Sequence, residues 1–145
     1  MVLALAMPAY AADSGKPPKA LVDALSKTAH EALIKVKNNE GQTMVKAEDA
    51  KKLKYPLTTY DDREMAVARG TLSGYANWCG LPWEKDYYAP YMIALKKEHQ
   101  KKWTPFQYAY TEVLHGVAMG EVIRNKKSEK CDAAEKKRIA ALAKK

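Results

Sequence analysis

The chain has 145 residues, a length typical of one domain, and 29% of them are charged. No run of the sequence reaches the roughly 18 apolar residues that a membrane-spanning helix needs, so the composition predicts a soluble chain. The net charge of +8 is uneven: residues 124–145 hold nine Lys and Arg against three acidic residues, a net of +6, whereas residues 1–123 hold sixteen against fourteen.

The N-terminus has the features of a secretory signal. Residues 1–11, MVLALAMPAYA, are apolar and uncharged and end in Ala9-Tyr10-Ala11, a small-residue pattern typical of a cleavage site. We interpret them as the remnant of a signal peptide, which makes residues 12–145 a single helical domain and the protein periplasmic or secreted. The alternative is an ordinary apolar arm.

Export gives the two cysteines of the chain a structural role. In an oxidising compartment Cys79 and Cys131 are expected to form one disulfide. The bond would close a loop of about 50 residues and stabilise the fold by about 4 kcal/mol on the chain-entropy account. The sequence has no C-x-x-C motif, which leaves a thioredoxin-type site or a c-type haem attachment unsupported.

Apolar residues recur at three- and four-residue steps along most of the chain. This periodicity predicts an all-α fold, a compact bundle of five or six helices. The third helix begins at a cap, either Thr59 or Asp61, and runs to Trp78. The other helices are expected at about 18–37, 44–54, 83–102, 105–125 and 129–143.

Several residues predict where helices end or break. Gly80 suits a left-handed residue that closes the third helix, and Pro82 suits the start of the next one. Pro90 predicts a kink or break near Tyr88. Residues 104–107, Thr-Pro-Phe-Gln, have the pattern of a capping box with proline in the first turn.

Two helix faces are expected to pack closely. Gly70 and Gly74 form a small-xxx-small pair on the third helix, which in a soluble bundle indicates close helix packing.

The last helix begins at Ser128 or Asp132 and carries Ile139 among lysines. The fifth helix is the most apolar, and its predicted buried stripe is Phe106, Tyr110, Val113, Val117 and Gly120.

Histidine and carboxylate groups are the first candidates for chemistry. His99 lies in a charged run that suggests a solvated helix end, whereas Glu112 and His115 have the E-x-x-H spacing of helical di-iron sites. A metal at Glu112 and His115, or a b-type haem on His115 or Met119, is one alternative. We favour a buried, hydrogen-bonded His115, with no cofactor.

Three acidic residues near the start of the third helix form a second candidate. Asp61, Asp62 and Glu64 contain enough carboxylates for a glycosidase-like pair. Capping and the helix dipole explain them better. The sequence therefore leans away from an enzyme.

Aromatic residues are concentrated in one segment. Ten of the thirteen Trp, Tyr and Phe residues fall between positions 75 and 110. One helix cannot bury neighbouring rings equally, so some are expected at the surface, where Trp and Tyr favour contacts with partners. A tyrosine-rich core is the alternative. The predicted contact surface consists of exposed rings at Trp83, Tyr87, Tyr88, Tyr91 and Trp103.

Residues 64–120 resemble a type of small exported proteobacterial protein. The resemblance rests on the C-G-L-x-W turn at Cys79-Gly80-Leu81-Pro82-Trp83 and on a later Q-x-A and L-H-G helix at Gln107 and Leu114-His115-Gly116. It implies export and fold, and no settled activity. In architecture alone the chain is similar to periplasmic acid-stress chaperones of the HdeA type, and more loosely to immunity proteins of secreted effectors.

These observations predict a non-enzymatic periplasmic module that binds another periplasmic or envelope protein, as a chaperone-like, accessory or inhibitor protein. The basic segment 124–145 is expected to steer an acidic partner or to contact an anionic membrane or cell-wall surface. Export argues against nucleic acid as a partner. The rival hypothesis is a metal- or haem-binding protein, or a cell-wall enzyme, centred on Glu112 and His115.

Overall fold

The computed structural model describes residues 15–37, 40–43 and 45–143, and the described chain is an all-α bundle as predicted. The signal-peptide interpretation of residues 1–11 concerns positions outside the described ones. Six α-helices are present in the described residues, together with one isolated backbone bridge between Lys37 and Thr43. The helices are α1 (Lys19–Leu33), α2 (Ala47–Ala50), α3 (Tyr60–Trp78), α4 (Ala89–Glu98), α5 (Pro105–Lys126) and α6 (Ala133–Leu142).

Two predicted helices are shorter than expected. Helix α1 ends at Leu33 because the chain turns at Ile34 and Lys35, after which the backbone of Lys37 pairs with Thr43. Helix α2 is a single turn, and the chain after it leads to Tyr55 and Pro56 without further helix. Within the described ranges no helix is long and apolar enough to cross a membrane.

The centre of the bundle is the pair α3 and α5. A Cβ atom at Gly70 would overlap the carbonyl oxygen of His115 and lie 2.9 Å from the Cβ of Ala118. A Cβ atom at Gly74 would lie 2.7 Å from the Cβ of Val122. The predicted close packing at the two glycines is therefore confirmed, and the two helix backbones approach each other because no side chain separates them.

The predicted buried stripe of α5 is confirmed only in part. Tyr110 is fully buried, whereas Phe106, Val113, Val117 and Gly120 are half-buried, because α3 meets α5 on the side that faces the two glycines and α1 packs beside it. The fully buried positions of α5 include polar residues, which a search for apolar periodicity passes over. They are Tyr110, Thr111, Leu114, His115, Ala118 and Val122.

The helix starts follow the predicted signals with one change. Thr59, the first of the two predicted caps, begins α3, since its hydroxyl accepts the backbone N–H of Asp62; the alternative cap Asp61 is wrong. Thr104 and Gln107 form the predicted capping box of α5. Asp132 rather than Ser128 caps α6.

The predicted break before Pro90 is confirmed and takes the form of a π-helical turn, Glu84–Tyr88, that leads directly into α4. Proline has no N–H to donate to the carbonyl four residues earlier, so the α-helical pattern cannot continue through it. The wider turn satisfies this segment instead: the N–H of Ala89 donates to the carbonyl of Glu84. Helix α4 then ends at Glu98, earlier than the predicted 102.

The disulfide Cys79–Cys131 is present as predicted, with the two Cα atoms 5.2 Å apart. Gly80 follows it at φ +68°, the left-handed conformation expected there. Next to the disulfide, the indole N–H of Trp78 donates to the carbonyl of Glu129 at 2.9 Å. These contacts attach α6 and the segment before it to the end of α3, where Ile139 is fully buried.

We predict that Gly70→Ala lowers the free energy of unfolding by about 3 kcal/mol, the upper end of the cost of overpacking, because the new methyl group meets backbone that cannot move aside. The matched control is Gly116→Ala on α5, where an added Cβ meets nothing within 4 Å. That change should raise stability by about 0.5–1 kcal/mol through helix propensity. Urea unfolding followed by circular dichroism measures both, and equal effects of the two substitutions would contradict the packing described above.

Candidate functional site

A cleft of about 390 Å³ lies between the first half of α3 on one side and the π-helical turn with α4 on the other. It is within the volume range of small-ligand sites. One end of the cleft reaches Ala143, just after α6. Its lining residues are Asp61, Asp62, Met65, Arg69, Asp86, Tyr87, Pro90, Tyr91, Ala94, Leu95, Glu98 and Ala143.

The cleft is acidic on a protein whose net charge is +8. Four carboxylates line it against one guanidinium, that of Arg69. Within the described part of the chain, the side chains of Asp61, Asp86 and Glu98 make no ion pair or hydrogen bond, and neither does Arg69. The cleft therefore presents three free carboxylates and one free guanidinium to a ligand.

Asp62 differs from the other carboxylates because the protein holds it in place. One of its oxygens accepts the hydroxyl of Thr59, and the other lies 3.1 Å from Nε2 of His99. The His99 ring in turn stacks on Trp103, with the ring centroids 3.7 Å apart. This chain of contacts connects the start of α3 to the loop between α4 and α5, and Asp62 is its member that lines the cleft.

His99 lies at the end of a helix as predicted, since it follows the last residue of α4, but the expectation that it is solvated is wrong. Its side chain is only 14% exposed, because the backbone turns around it after α4: its carbonyl accepts the N–H groups of Lys102 and Trp103. The turn includes Lys101 at φ 66°. The partner carboxylate of Asp62 lies 37 residues earlier, so no local spacing could have revealed the pair.

Tyr91 is the buried polar group of the cleft. Its side chain is 8% exposed, and its hydroxyl is buried with no hydrogen-bond partner among the described residues. Asp62, Arg69 and Glu98, which all line the cleft, act electrostatically on this hydroxyl. Burial is the main cause that raises the pKa of Tyr91 far above its ordinary value, so the group stays protonated and can both donate and accept.

An unpartnered buried hydroxyl costs free energy, about 1–3 kcal/mol. Such groups are rare in folded proteins and each calls for an explanation. A ligand that occupies the cleft and bonds to Tyr91 is one explanation. Six described residues have a buried side-chain atom with no hydrogen-bond partner among the described residues. Tyr91 is the one of them that lines the cleft, so a ligand bound there is a candidate partner for its hydroxyl.

The remaining wall of the cleft is apolar. Met65 is 49% exposed, which is unusual for a large apolar side chain, and Pro90, Ala94 and Leu95 complete this wall. A shallower hollow of about 420 Å³ adjoins the cleft on the side of α6. The two share four lining residues, Asp86, Tyr87, Pro90 and Ala143.

The predicted surface of exposed rings is wrong for two of its five members. Tyr87 and Tyr91 are 5% and 8% exposed. Tyr87 is turned inward because its hydroxyl donates to the carbonyl of Ile139 at 2.9 Å, and Tyr91 because its ring stacks on His115. Both nevertheless line the cleft.

The other three predicted rings are half-buried and lie in different places. Trp83 and Tyr88 contact each other, with centroids 6.1 Å apart, and Tyr88 also contacts His115. Trp103 stacks on His99 at the far end of α4. None of the three lines the cleft, so they stay a predicted contact surface that is separate from it.

His115 is the buried, hydrogen-bonded histidine that we favoured from the sequence. It is 2% exposed, and its Nε2 lies 2.9 Å from the hydroxyl of Ser73 on α3. Burial lowers its pKa to about 4. Glu112 is exposed, and no group of three or more His, Cys, Asp and Glu residues that could hold a metal occurs among the described residues.

The three acidic residues of the glycosidase alternative do not act together. Asp61 and Asp62 line the cleft, but Glu64 does not, and it pairs with Lys16 at 3.3 Å.

Of the residues that line the cleft, the sequence analysis named Asp61, Asp62, Tyr87 and Tyr91, but for other roles. It missed Arg69, Asp86 and Glu98, which carry no local motif and meet only because the π-helical turn that leads into α4 packs against α3.

We predict a pH dependence of stability from His115. Its folded pKa of about 4 lies below the ordinary 6.5, so protonation favours the unfolded chain. The neutral ring's contribution is complete above pH 6.5 and falls by about 3 kcal/mol as the pH drops to 4. Urea unfolding across this range should show a smaller fall for His115→Gln than for the wild type, and parallel curves would contradict the assignment.

We also predict that Tyr91→Phe raises the free energy of unfolding by about 1 kcal/mol, because it removes a buried hydroxyl that has no partner. The matched control is Tyr110→Phe, whose hydroxyl donates to the carbonyl of Ser26 at 3.3 Å. That change should lower stability by about 1 kcal/mol. Thermal unfolding compares the two, and a similar loss in both would show that the Tyr91 hydroxyl is satisfied.

Comparison with known proteins gives no family for this chain: no family model, no curated protein and no solved structure matches it. The resemblances noted from the sequence therefore stay predictions.

Proposed function

We propose that this protein is a non-enzymatic, exported binding protein whose acidic cleft holds a basic side chain of another protein. The observation that carries the proposal is the buried, unpartnered hydroxyl of Tyr91 in a cleft lined by free carboxylates. The proposal keeps the predicted class, a protein-binding module. It moves the contact from a surface of exposed rings to the cleft.

Charge supports a cationic ligand. Asp61, Asp86 and Glu98 surround the cleft without any cation of the described chain bound to them. Carboxylates of like charge in one cleft repel one another, and a bound ammonium or guanidinium relieves that repulsion. A charged group bound there would also gain hydrogen bonds, which are stronger when one partner is ionised.

The apolar wall favours a long basic side chain over a small cation. Lys and Arg carry an aliphatic stem that packs on apolar surface while the charged end reaches polar groups. Met65, Ala94 and Leu95 provide such a surface beside the carboxylates. The ligand suggested by the lining is therefore a lysine or arginine side chain.

The basic segment 124–145 has a separate role in this proposal. Its excess positive charge would attract an acidic partner, or an anionic membrane or cell-wall surface, as expected from the sequence. Helix α6 ends beside the cleft at Ala143. The two surfaces thus have opposite charge, which would orient a partner that carries both signs.

Export to the periplasm is part of the proposal. The disulfide Cys79–Cys131 is compatible with an oxidising compartment. The rings at Trp83, Tyr88 and Trp103 remain candidates for further partner contact, since all three are half-buried.

We expect an acetylated and amidated tetralysine peptide to bind the wild-type protein in isothermal titration calorimetry at low salt. Asp61→Asn with Glu98→Gln should weaken binding about tenfold, because each removes a charge-assisted contact. The matched control is Glu31→Gln with Glu48→Gln, which removes the same net charge at exposed positions outside the cleft. Equal weakening by both double variants, or no binding to the wild type, would contradict the proposed function.

A further inference from the structure

We propose that the cleft recognises a basic residue that carries a free α-carboxylate, as a carboxyl-terminal lysine or arginine or as the free amino acid. In this arrangement the free carboxylates of the cleft bind the side-chain cation, and Arg69 with the Tyr91 hydroxyl binds the α-carboxylate. The inference rests on the proposed function and specifies its ligand.

The state of Arg69 is the first argument. Its guanidinium shares a cleft with four carboxylates and still forms no ion pair or hydrogen bond within the described chain. A planar guanidinium with five donors normally pairs with a carboxylate, often through two parallel hydrogen bonds. A cleft built only for cations would gain nothing from a free guanidinium, since it repels them.

The Tyr91 hydroxyl is the second argument. It is buried, has no partner, and lies within the electrostatic influence of Arg69. Because burial keeps the phenol protonated, it can donate a hydrogen bond to an anion. Arg69 on α3 and Tyr91 on α4 therefore form a pair of donors from the two walls of the cleft.

The arrangement of charges then defines the ligand. The Arg69 guanidinium and the free carboxylates line one cavity of about 390 Å³, so the complementary molecule is small and carries both a positive and a negative charge. The carboxylates outnumber the guanidinium, which favours a ligand with more than one cationic group or with a long cationic side chain. A lysine or arginine with a free carboxylate has such a long cationic side chain together with the negative charge that Arg69 would bind.

The adjoining hollow allows the residue to be the end of a peptide. It continues from the cleft past Pro90 towards Leu81 and Ala140, and Lys85 also lines it. The residues that precede a carboxyl-terminal lysine could lie there. The free amino acid would leave this hollow empty, so the two sources are distinguishable by affinity.

Calorimetric titrations with two small probes test the inference. Nα-acetyl-lysine has the side-chain ammonium and the carboxylate, whereas Nα-acetyl-lysine amide lacks the carboxylate. We expect the wild type to bind the acid about tenfold more tightly than the amide. Arg69→Gln should remove that preference by weakening the acid, and should leave the amide unchanged or bound more tightly, because a repelling cation has been removed. Tyr91→Phe should weaken the acid more than the amide.

The controls separate the possible failures. Arg69→Lys keeps the positive charge at this position and is the control for folding. Lys97→Gln removes a positive charge from the exposed part of α4 outside the cleft, and this variant should keep the wild-type preference for the acid. Equal binding of acid and amide with no effect of Arg69→Gln would overturn this inference and leave the proposed function standing. No binding of either probe would overturn both. Tighter binding of acetyl-glycyl-glycyl-lysine than of L-lysine identifies a peptide terminus as the source, and the reverse identifies the amino acid.

Discussion

The structure depends on the close approach of α3 and α5 at Gly70 and Gly74. Backbone lies against backbone there, since a Cβ atom at Gly70 would overlap the carbonyl oxygen of His115. The contact also fixes the side chain of His115, which reaches Ser73 on α3. The ring of Tyr91 stacks on that histidine, so the position of α4 follows from the approach of the other two helices.

The cleft is the consequence of this chain of contacts. Tyr91 lines the cleft with its ring held against His115, and its buried hydroxyl has no hydrogen-bond partner among the described residues. The opposite end is closed by α6, which the disulfide and the bond from Tyr87 to the carbonyl of Ile139 keep in place. Three stretches of the chain, 61–69, 86–98 and Ala143, thus line one cleft, and supporting contacts of this kind are what a binding site needs.

Two features of the cleft lower the stability of the free protein. A buried hydroxyl without a partner and like charges in one cleft are both unfavourable in the free protein. Three helix starts of the described chain have side-chain caps, at Thr59, Thr104 and Asp132. Buried polar atoms without a partner among the described residues also occur away from the cleft, at Ser26, His30, Thr58, Arg63 and Thr71. Tyr91 is the one that lines the cleft, and departures from local consistency concentrate at functional sites, so it supports a binding role there.

The sequence by itself determined the all-α class, the turn at Gly80 and Pro82 after α3, and the disulfide Cys79–Cys131. Capping residues, glycine conformation and proline act within a few residues, and a chain with two cysteines allows one intramolecular pairing, so these features were predictable. Only the tertiary structure decided which face of α5 is buried, that His99 meets Asp62, and that Arg69 and Glu98 share a cleft. The physical reason is that charge and burial depend on neighbours from distant segments, which the packing of helices brings together and local spacing does not encode.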